Sequence, residues 1–451
     1  MPAQPTSEQA PSEQTQSKPA ATQPVAGVPS ANGLQLLPFR AQRYALDGAT
    51  LAAVTSPPYD VIDDDERDAL AAQDPHNVVR LILPRDVDAP GDRYRWAAAT
   101  LREWLETGVL LQDDEPALYV YEEEVGGHVQ RGIVGGVGLA RAHEKVVLPH
   151  EDTMAGPVAD RLALLEATRT NLEPIVLAYD GGGATSAAVA SADALPPLAD
   201  LTTADGVHHR LWAITDPDVH RAVAADLAPR RATIADGHHR YATYLKYQEA
   251  RHAAGAGRGP WDGGLAFLVD TIAFGPQVHA IHRVVAGIDL DTAVALAQRA
   301  CTVTAVDSTD PAELLERLRF AGQQGYAFVV TDGTRSFLLM ALDQGVLQRA
   351  VPTDRSDAWR TLDVTVAHYL LVRELWGLRD EEDVVGYRHD APAAVMAARE
   401  GGGVALLLNP TPVDAVAAVA AAGDRMPRKS TLFTPKPRTG LLMRPLTAAP
   451  S

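Results

Sequence analysis

Short apolar runs alternate with amphipathic helical patterns along most of the chain, and this alternation limits the folds that it can adopt. The runs predicted as strands include "VVRLILP" (78–84), "PALYVYEEEV" (116–125), "RGIVGGVGLARA" (131–142), "IVLAYD" (175–180), "HHRLWAITD" (208–216), "YAFVVTD" (326–332), "SFLLMAL" (336–342) and "VALLLNP" (404–410). The predicted helices include "RYRWAAATLREWLETGVL" (93–110), "DRLALLEATRTNLEP" (160–174), "DPAELLERLRFAG" (310–322) and "PVDAVAAVAAAG" (412–423). Because strands and helices interleave, we expect a mixed α/β fold of the α+β class.

Composition divides the 451 residues into a tail and a folded body. Residues 1–33 are rich in Pro, Ser, Gln and Ala and contain no aromatic residue, which predicts a disordered tail. In the body we expect an N-terminal α/β region at 34–180, a second region at 200–300 and a C-terminal α/β region at 301–445. A Gly/Ala/Ser-rich stretch at 181–200 is interpreted as the loop between the first two regions.

The charge and cysteine content narrow the class of protein. A formal net charge of -18 opposes binding to nucleic acid and to anionic membranes, so neither is expected as a partner. No apolar run is long enough to span a bilayer, and the N-terminus lacks the pattern of a signal peptide. Cys301 is the single cysteine, which fits a reducing compartment, and we expect a cytoplasmic protein.

The stretch "TIADGHHRYATYLKY" (233–247) concentrates titratable and cationic side chains at one strand-to-helix turn. We expect a short strand, then Asp236 as the helix N-cap and Gly237 as the turn residue. His238, His239 and Arg240 then occupy the first helical turn. Because a helix N-terminus carries unpaired N–H groups and a partial positive charge, cations at this turn indicate a site for an anion, most plausibly a phosphate.

Other segments carry side chains that could complete such a site. Asp60 follows a Pro-Pro-Tyr sequence, and His150 and Glu151 are adjacent in "LPHEDT". Another histidine cluster, "VHAIHRVV", supplies His282 and Arg283. Carboxylates near an acceptor hydroxyl and cations on phosphates are what phosphoryl transfer requires.

Two further segments are relevant to the same interpretation. "DGVHHRLW" (205–212) repeats the Asp-Gly and His-His-Arg elements, but the residues that follow alternate as in a strand, so its two histidines should point to opposite faces. The end of the chain is basic, with no acidic residue after Asp424. Its prolines favour an extended segment that lies across the body, where Lys429, Lys436 and the hydroxyls of Ser430 and Thr431 could contact phosphate.

Five separated motifs, in order, resemble those of the DUF1015 family, which is widespread in bacteria and poorly characterised. They are "SPPYDVI" (56–62), "LPHEDTMAGPVADRLALLEATRTN" (148–171), "IADGHHRYATY" (234–244), "HAIHRVV" (279–285) and "MPRKSTLFTPKPRTGLL" (426–442). The Asp-Gly-His-His-Arg sequence also resembles the phosphate-binding motif of the ParB/sulfiredoxin-like superfamily, and a closely similar motif occurs in its free-serine kinases. The resemblance implies a ParB/sulfiredoxin-like core within a larger body of several subdomains.

In those kinases the aspartate is implicated as the base that activates the substrate hydroxyl, and the basic residues hold nucleotide phosphates. Carried over, the resemblance implies Asp236 as the base and His238, His239 and Arg240 as phosphate ligands. It implies no particular substrate, because large parts of this chain have no counterpart in a minimal member of the superfamily.

These observations favour a kinase or related phosphotransferase that uses ATP or ADP with Mg²⁺ and acts on a small hydroxylated, serine-like metabolite. The candidate catalytic residues are Asp236, Glu151 and Asp60. The candidate phosphate- or nucleotide-binding residues are Gly237, His238, His239, Arg240, His150, Arg161, His282, Arg283, Lys429, Ser430, Thr431 and Lys436. No residue spacing predicts a protein-held metal. A metal-dependent phosphoester hydrolase and a non-enzymatic nucleotide sensor remain as alternatives.

Overall fold

The computed structural model describes residues 33–86, 92–379, 381 and 383–447. Within these ranges the chain forms 15 α-helices and 21 strands, so the predicted mixed α/β fold is confirmed. Almost all of the predicted tail, residues 1–32, lies outside the described residues. The predicted division of the body at 34–180, 200–300 and 301–445 stays a prediction.

The elements are numbered in chain order. The strands are β1 Leu36–Leu37, β2 Gln42–Tyr44, β3 Leu110–Gln112, β4 Leu118–Val125, β5 His128–Gly138, β6 Val147–Leu148, β7 Thr170–Asn171, β8 Ile175–Tyr179, β9 Ala199–Thr202, β10 His208–Ile214, β11 Ala232–Asp236, β12 Gly263–Asp270, β13 Gln277–His279, β14 His282–Val285, β15 Thr302–Val306, β16 Phe328–Thr331, β17 Ser336–Met340, β18 Val385–Arg388, β19 Val404–Leu407, β20 Leu432–Thr434 and β21 Arg444–Pro445. The helices are α1 Gly48–Val54, α2 Asp64–Gln73, α3 Val79–Ile82, α4 Arg93–Glu106, α5 Ala155–Thr168, α6 Gly183–Ala190, α7 Pro217–Leu227, α8 His238–Ala253, α9 Leu290–Ala297, α10 Pro311–Gly322, α11 Gln344–Ala350, α12 Asp357–Arg360, α13 Asp363–Val366, α14 Ala391–Gly401 and α15 Val413–Ala422.

A large mixed sheet has the strand order β6-β11-β8-β12-β5-β4-β10-β9, and its strand β11 leads into the Asp-Gly-His-His-Arg motif. β4 and β5, which the sequence predicts as strands, form an antiparallel hairpin with Tyr119 opposite Val134 and Val120 opposite Ile133. Because successive side chains point to opposite faces, Tyr119 and Val120 belong to two different apolar clusters, one on each face of the sheet. Both faces are therefore covered by packed side chains, which explains the near-continuous apolar runs in the sequence.

A second sheet has the strand order β15-β17-β16-β19-β14-β18. One of its faces shares an apolar cluster with the large sheet, including Phe328 from β16 and Phe267 from β12. Its other face packs on α10 and α14, through residues such as Leu318 and Ala394. The two sheets are thus held together by one continuous core.

Residues 425–445, which we call the C-terminal strap, run back over the large sheet. The strap pairs with β13 through β20 and with β7 through β21. Isolated bridges add Ser56 to Thr439 and Gln42 to Met443. The prediction that this basic segment lies across the body is confirmed, and it brings the last described residues beside the first ones.

Two secondary-structure predictions are wrong. "VVRLILP" (78–84) forms the helix α3 instead of a strand, because the Asn77 side chain accepts a hydrogen bond from Val79 N (3.0 Å) and so supports a helical start. The stretch 181–200, interpreted as a loop, contains the alanine-rich α6, where Asp226 accepts from the Thr185 N–H at 3.0 Å. Among the described residues, no helix combines the length and the apolarity needed to cross a membrane.

Candidate functional site

The motif at residues 236–240 joins β11 to α8 through one glycine. Gly237 has a φ of 90° and is the residue before the helix, so the prediction that Asp236 is the N-cap is wrong. A Cβ on Gly237 would lie 3.0 Å from Cγ2 of Ile175 and 3.1 Å from Nε of Arg240. Glycine is required for the positive φ, and it lets the Arg240 side chain pass close to the backbone. The carboxylate of Asp236 is left free to bind side chains instead of capping the helix.

Asp236 is clamped between two cations. Its Oδ2 accepts from Nη2 of Arg240 at 2.5 Å, and its Oδ1 accepts from Nζ of Lys436 in the strap at 2.5 Å. Burial would raise the pKa of Asp236, but Arg240 and Lys436 outweigh burial and hold that pKa below its usual range. The same contacts with Asp236 raise the pKa of Arg240 and of Lys436 against their own burial. The structure therefore brings three predicted site residues, one of them 200 positions away in sequence, into one ionised cluster.

Asp60 borders this cluster from the turn that follows the Pro-Pro-Tyr sequence. Its Oδ2 lies 3.8 Å from Nη2 of Arg240 and 4.0 Å from Nζ of Lys436. About a third of its side chain is exposed, 34%, so this carboxylate can accept a further ligand. Asp60 thus lies at the open side of the cluster, beside the predicted phosphate-binding residues.

Arg240 also belongs to a buried network that the sequence did not reveal. Its guanidinium donates to the carbonyl of Pro174 and is only 4% exposed. Beside it, Glu173 is 4% exposed and accepts from the Tyr59 N–H at 2.9 Å. Burial raises the pKa of Glu173, although Arg240 opposes the shift. Arg240 is therefore held by the protein on several sides, and its guanidinium supports the turn more than it faces solvent.

His150, Glu151 and His238 form a second group beside the Asp236 cluster. Ligand atoms of His150, Glu151 and His238 lie within 4.8 Å of one another, which is close enough to hold a metal ion. Burial lowers the pKa of His150 to about 4 and that of His238 well below its usual value, so both rings are neutral near pH 7. Burial and the nearby Asp236 raise the pKa of Glu151. The positive charge of the site comes from Arg240, Lys436 and the helix N-terminus rather than from imidazolium groups.

Hydrogen bonds fix the orientation of these rings. The backbone N–H of His150 donates to Nε2 of His238 at 3.2 Å, which leaves the ring proton of His238 on Nδ1. That Nδ1 lies 3.8 Å from Oε2 of Glu151. His239, the next residue, is half-buried, and its Nε2 accepts from the Met154 N–H at 3.0 Å. Of the two motif histidines, His239 is therefore the more accessible.

The strap contributes unevenly. Oγ1 of Thr431 lies 3.4 Å from Nε2 of His150, which places Thr431 at the histidine group. Lys429 is exposed, and its positive charge partly opposes the upward shift that burial gives the pKa of Glu151. Ser430 is buried and its hydroxyl donates to the carbonyl of Pro427, so that hydroxyl is directed into the strap itself.

Three other predicted residues are buried in the protein. Arg161 donates to the carbonyl of Ile82 and to Asp160, and it lies over the Tyr59 ring at 4.3 Å. His282 is 3% exposed and accepts from the Leu408 N–H at 3.3 Å. These contacts place both side chains in the interior of the fold.

Arg283 is the third. It is 1% exposed, and it donates to Nε2 of His368 at 2.9 Å and to the carbonyl of Lys429 at 3.0 Å. Arg283 therefore supports the backbone of the strap, which carries Lys429 and Thr431 to the site.

The second Asp-Gly and His-His-Arg sequence lies on β10, as its alternation predicted. His208 is half-exposed and pairs with Asp200 at 2.8 Å, whereas His209 is 2% exposed on the other face, where its Nδ1 lies 2.8 Å from the Tyr121 hydroxyl. The prediction that the two histidines point to opposite faces is confirmed.

Comparisons with known proteins give a family and a set of distant structures. The chain is 12% identical to a free serine kinase variant in complex with ADP, covering 66% of this chain and 88% of that one, with a TM-score of 0.32. It is 13% identical to C-terminally truncated SbnI from Staphylococcus aureus, covering 69% and 87%, with a TM-score of 0.34. A hypothetical protein from Pyrococcus furiosus is 13% identical, covering 64% and 87%, with a TM-score of 0.30.

The search of curated proteins found no match. The family described as "Protein of unknown function (DUF1015)" matches residues 36–365, which is most of the chain. Four of the five motifs lie within the matched residues, and the fifth, at 426–442, lies beyond them. The predicted family is thereby confirmed, and the chain belongs to the DUF1015 family.

Proposed function

We propose that this protein is a nucleotide-dependent phosphotransferase that phosphorylates a small hydroxylated metabolite. The observation that carries the proposal is the cluster at the N-terminus of α8, where Asp236 binds both Arg240 and Lys436 at 2.5 Å. Glu151 and Asp60 border this cluster and keep part of their carboxylate surface accessible. Phosphoryl transfer depends mainly on positioning and on charge neutralisation, and this arrangement supplies groups for both.

The phosphate groups of the nucleotide are assigned to the first turn of α8. The N–H groups of that turn have no partners within the helix, and the helix dipole adds positive charge. Lys436 supplies a full charge beside them, and Asp236 holds its ammonium in place. His239 adds a half-buried imidazole on the accessible side of the turn.

Glu151 is assigned as the general base that accepts the proton of the acceptor hydroxyl. Its pKa is raised by burial and by Asp236, which makes it a better proton acceptor near neutral pH than a carboxylate of ordinary pKa. Both oxygens of Asp236 are occupied by cations, and its pKa is lowered. We therefore assign Asp236 a positioning role, with Lys436 and Arg240 as the groups that it positions.

Mg²⁺ fits the donor set at the open side of the cluster. Asp60 offers a carboxylate that is 34% exposed and lies at ion-pair distance from Arg240 and Lys436, without a hydrogen bond from either. Mg²⁺ is usually held by one or two carboxylates together with substrate phosphates, so Asp60 is the residue assigned to it. When bound, the ion would neutralise phosphate charge that Lys436 alone does not balance.

A metal-dependent phosphoester hydrolase is the second candidate, because His150, Glu151 and His238 lie within 4.8 Å of one another. The hydrogen bond from His150 N to Nε2 of His238 counts against it, since the Nδ1 that faces Glu151 then carries the ring proton. A metal on that nitrogen would require the proton to move and the backbone N–H to lose its acceptor.

The test is nucleotide turnover with Mg²⁺, using ATP or ADP with and without a set of hydroxylated amino acids and sugars. We expect turnover that depends on an acceptor in the wild-type protein, reduced about 100-fold or more in Glu151→Gln. Glu166→Gln, an exposed glutamate on α5, is the matched control and should keep wild-type turnover.

Turnover that persists in Glu151→Gln would contradict the assigned base. Release of phosphate from phosphoesters without any acceptor, abolished by chelation and restored by Zn²⁺ or Mn²⁺, would establish the hydrolase instead. Stabilisation by nucleotide with no turnover of any acceptor would indicate the sensor.

A further inference from the structure

A cavity of about 640 Å³ lies next to the Asp236 cluster, between the strap and the turns of the large sheet. Its walls come from the Pro57–Pro58 turn, the β4–β5 turn, the β9–β10 turn and the strap. Lys436 lines this cavity and also binds Asp236, so the two sites share one ammonium group. The volume is in the range of small-molecule pockets.

Arg438 is the cation of this cavity that neither hydrogen-bonds nor ion-pairs with a carboxylate of the described residues, although Asp205 lies within electrostatic reach. It is partly buried, and it donates from Nε to Oγ1 of Thr55 at 3.1 Å and from Nη2 to the carbonyl of Thr55 at 2.9 Å. Among the described residues its guanidinium forms no ion pair. Burial lowers the pKa of Arg438, as expected for a guanidinium that loses water without gaining a carboxylate. Cations removed from water are usually paired, so this one is suited to an anionic ligand.

A chain of hydrogen bonds fixes Arg438 in the wall. Its backbone N–H donates to the Tyr121 hydroxyl at 3.0 Å, and that hydroxyl lies 2.8 Å from Nδ1 of His209. Nε2 of His209 lies 3.2 Å from Oγ1 of Thr203. Burial lowers the pKa of His209 to about 3, so the ring is neutral and can accept at one nitrogen while it donates at the other. The site is therefore organised before any ligand binds.

We propose that this cavity binds a small molecule through an anionic group, a carboxylate or a phosphate, held by Arg438. The molecule extends toward Lys436, and its hydroxyl reaches the Asp236 cluster. This rests on the proposed function, because it makes the cavity the acceptor site of the phosphotransferase. A planar guanidinium binds either group through paired hydrogen bonds, and the prolines of the opposite wall suit a short carbon skeleton.

Substituting Asp205 should change the affinity for an anion in the direction opposite to substituting Arg438. Its carboxylate lines the same cavity and interacts electrostatically with Arg438. An anion in the cavity is therefore repelled by Asp205 and attracted by Arg438. A purely structural role of both residues would weaken binding in both variants.

The experiment is calorimetric titration of the full chain, without nucleotide, with glycerate, glycerol 3-phosphate and glycerol. We expect one of the two acids to bind and glycerol not to bind. Affinity should fall at least tenfold in Arg438→Gln, fall less in Arg438→Lys, and rise severalfold in Asp205→Asn. Arg444→Lys is the control, because Arg444 is a buried strap arginine that donates to backbone carbonyls and does not line the cavity. Its affinity should match that of the wild type.

Absence of binding by both acids would overturn the proposal, and so would an unchanged affinity in a folded Arg438→Gln protein. Glycerol binding as tightly as the acids would also overturn it. The acid that binds identifies the anionic group. The titration contains no nucleotide and tests only binding in the cavity, whereas the turnover assay tests the phosphotransferase activity. A negative result in one experiment can therefore be distinguished from a negative result in the other.

Discussion

Residues 236–240 and residues 205–210 use nearly the same amino acids, and the structure gives them different partners. Asp236 ends β11 and Arg240 lies in the first turn of α8, and the turn at Gly237 brings the two side chains together at 2.5 Å. On β10, Arg210 instead reaches across to Glu122 of the neighbouring strand at 2.8 Å, and Asp205 remains in a local turn. The comparison shows that the local backbone decides the partners of these side chains. At the strand-to-helix turn the aspartate and the arginine bind each other, whereas along a continuous strand they bind different neighbours.

The largest expected difference between the two regions concerns their aspartates. Asp236→Ala would remove the carboxylate that accepts hydrogen bonds from the buried Arg240 and Lys436 and leave them only Asp60, at 3.8 and 4.0 Å, which should lower the free energy of unfolding by about 3–5 kcal/mol. Asp205→Ala, at an exposed turn, should lower it by about 1 kcal/mol or less. Equilibrium unfolding in urea at pH 7 measures both, and similar losses in the two variants would remove the distinction drawn here.

The strand region contains a buried acid that should make it sensitive to high pH. Glu123 is fully buried, and burial raises its pKa from 4.5 to about 8. Its protonated form therefore stabilises the fold fully below about pH 4.5, and this contribution is lost as the pH rises through 8. Glu123→Gln, which mimics the protonated acid, should be about 4 kcal/mol more stable than the wild type at pH 8 and nearly equally stable at pH 4.5.

The neighbouring Glu122 is the matched control. It is 1% exposed and pairs with Arg131 and Arg210, so its carboxylate is needed in the ionised form. Glu122→Gln should destabilise the protein at pH 8, opposite in sign to Glu123→Gln. Thermal melting across pH 4.5–8 provides the comparison, and a destabilised Glu123→Gln at pH 8 would show that Glu123 is ionised in the fold.

The site at the N-terminus of α8 should show the opposite dependence, with stability lost at low pH. Burial lowers the pKa of His150 from 6.5 to about 4, so the unfolded chain binds its proton before the folded one does. Stability contributed by the neutral ring is therefore lost as the pH falls from 6.5 through 4, by about 3 kcal/mol. His150→Gln should flatten that part of the stability curve, and a curve parallel to the wild type would exclude His150 as its source.

The smallest effect is expected at the exposed histidine of the strand copy. His208 pairs with Asp200 at 2.8 Å on the surface, and such pairs contribute about 0.5 kcal/mol or less. His208→Ala should therefore leave the unfolding midpoint in urea almost unchanged. A loss of about 2 kcal/mol or more would show that His208 contributes more than an ion pair at the surface does.

Local patterns predicted the elements better than they predicted the partners. The strand, glycine and helix around residue 237, the β4–β5 hairpin and the crossing of the strap follow from apolar periodicity and from turn residues. Asp236 was assigned to the helix cap because its position favours capping, but two cations compete for its carboxylate and one of them is 200 residues away. No local pattern contains that contact.

Two important residues were missed for the same reason. Glu173 gave one weak signal, a lone acid two residues before a buried strand, but its partners Tyr59 and Thr439 are more than 110 positions away in each direction. Arg438 stood among other basic residues near the end of the chain, and only the folded strap distinguishes it from them.

The path of the strap also has a consequence for the synthesis of this protein. The helix with the Asp-Gly-His-His-Arg motif leaves the ribosome long before Thr431, Lys436 and Arg438 are translated. A nascent chain at that stage has the turn without the ammonium that Asp236 binds, and without the cation of the neighbouring cavity. Both sites therefore stay incomplete until the strap has been translated, so a nascent chain that lacks the strap should not bind the ligands of these sites.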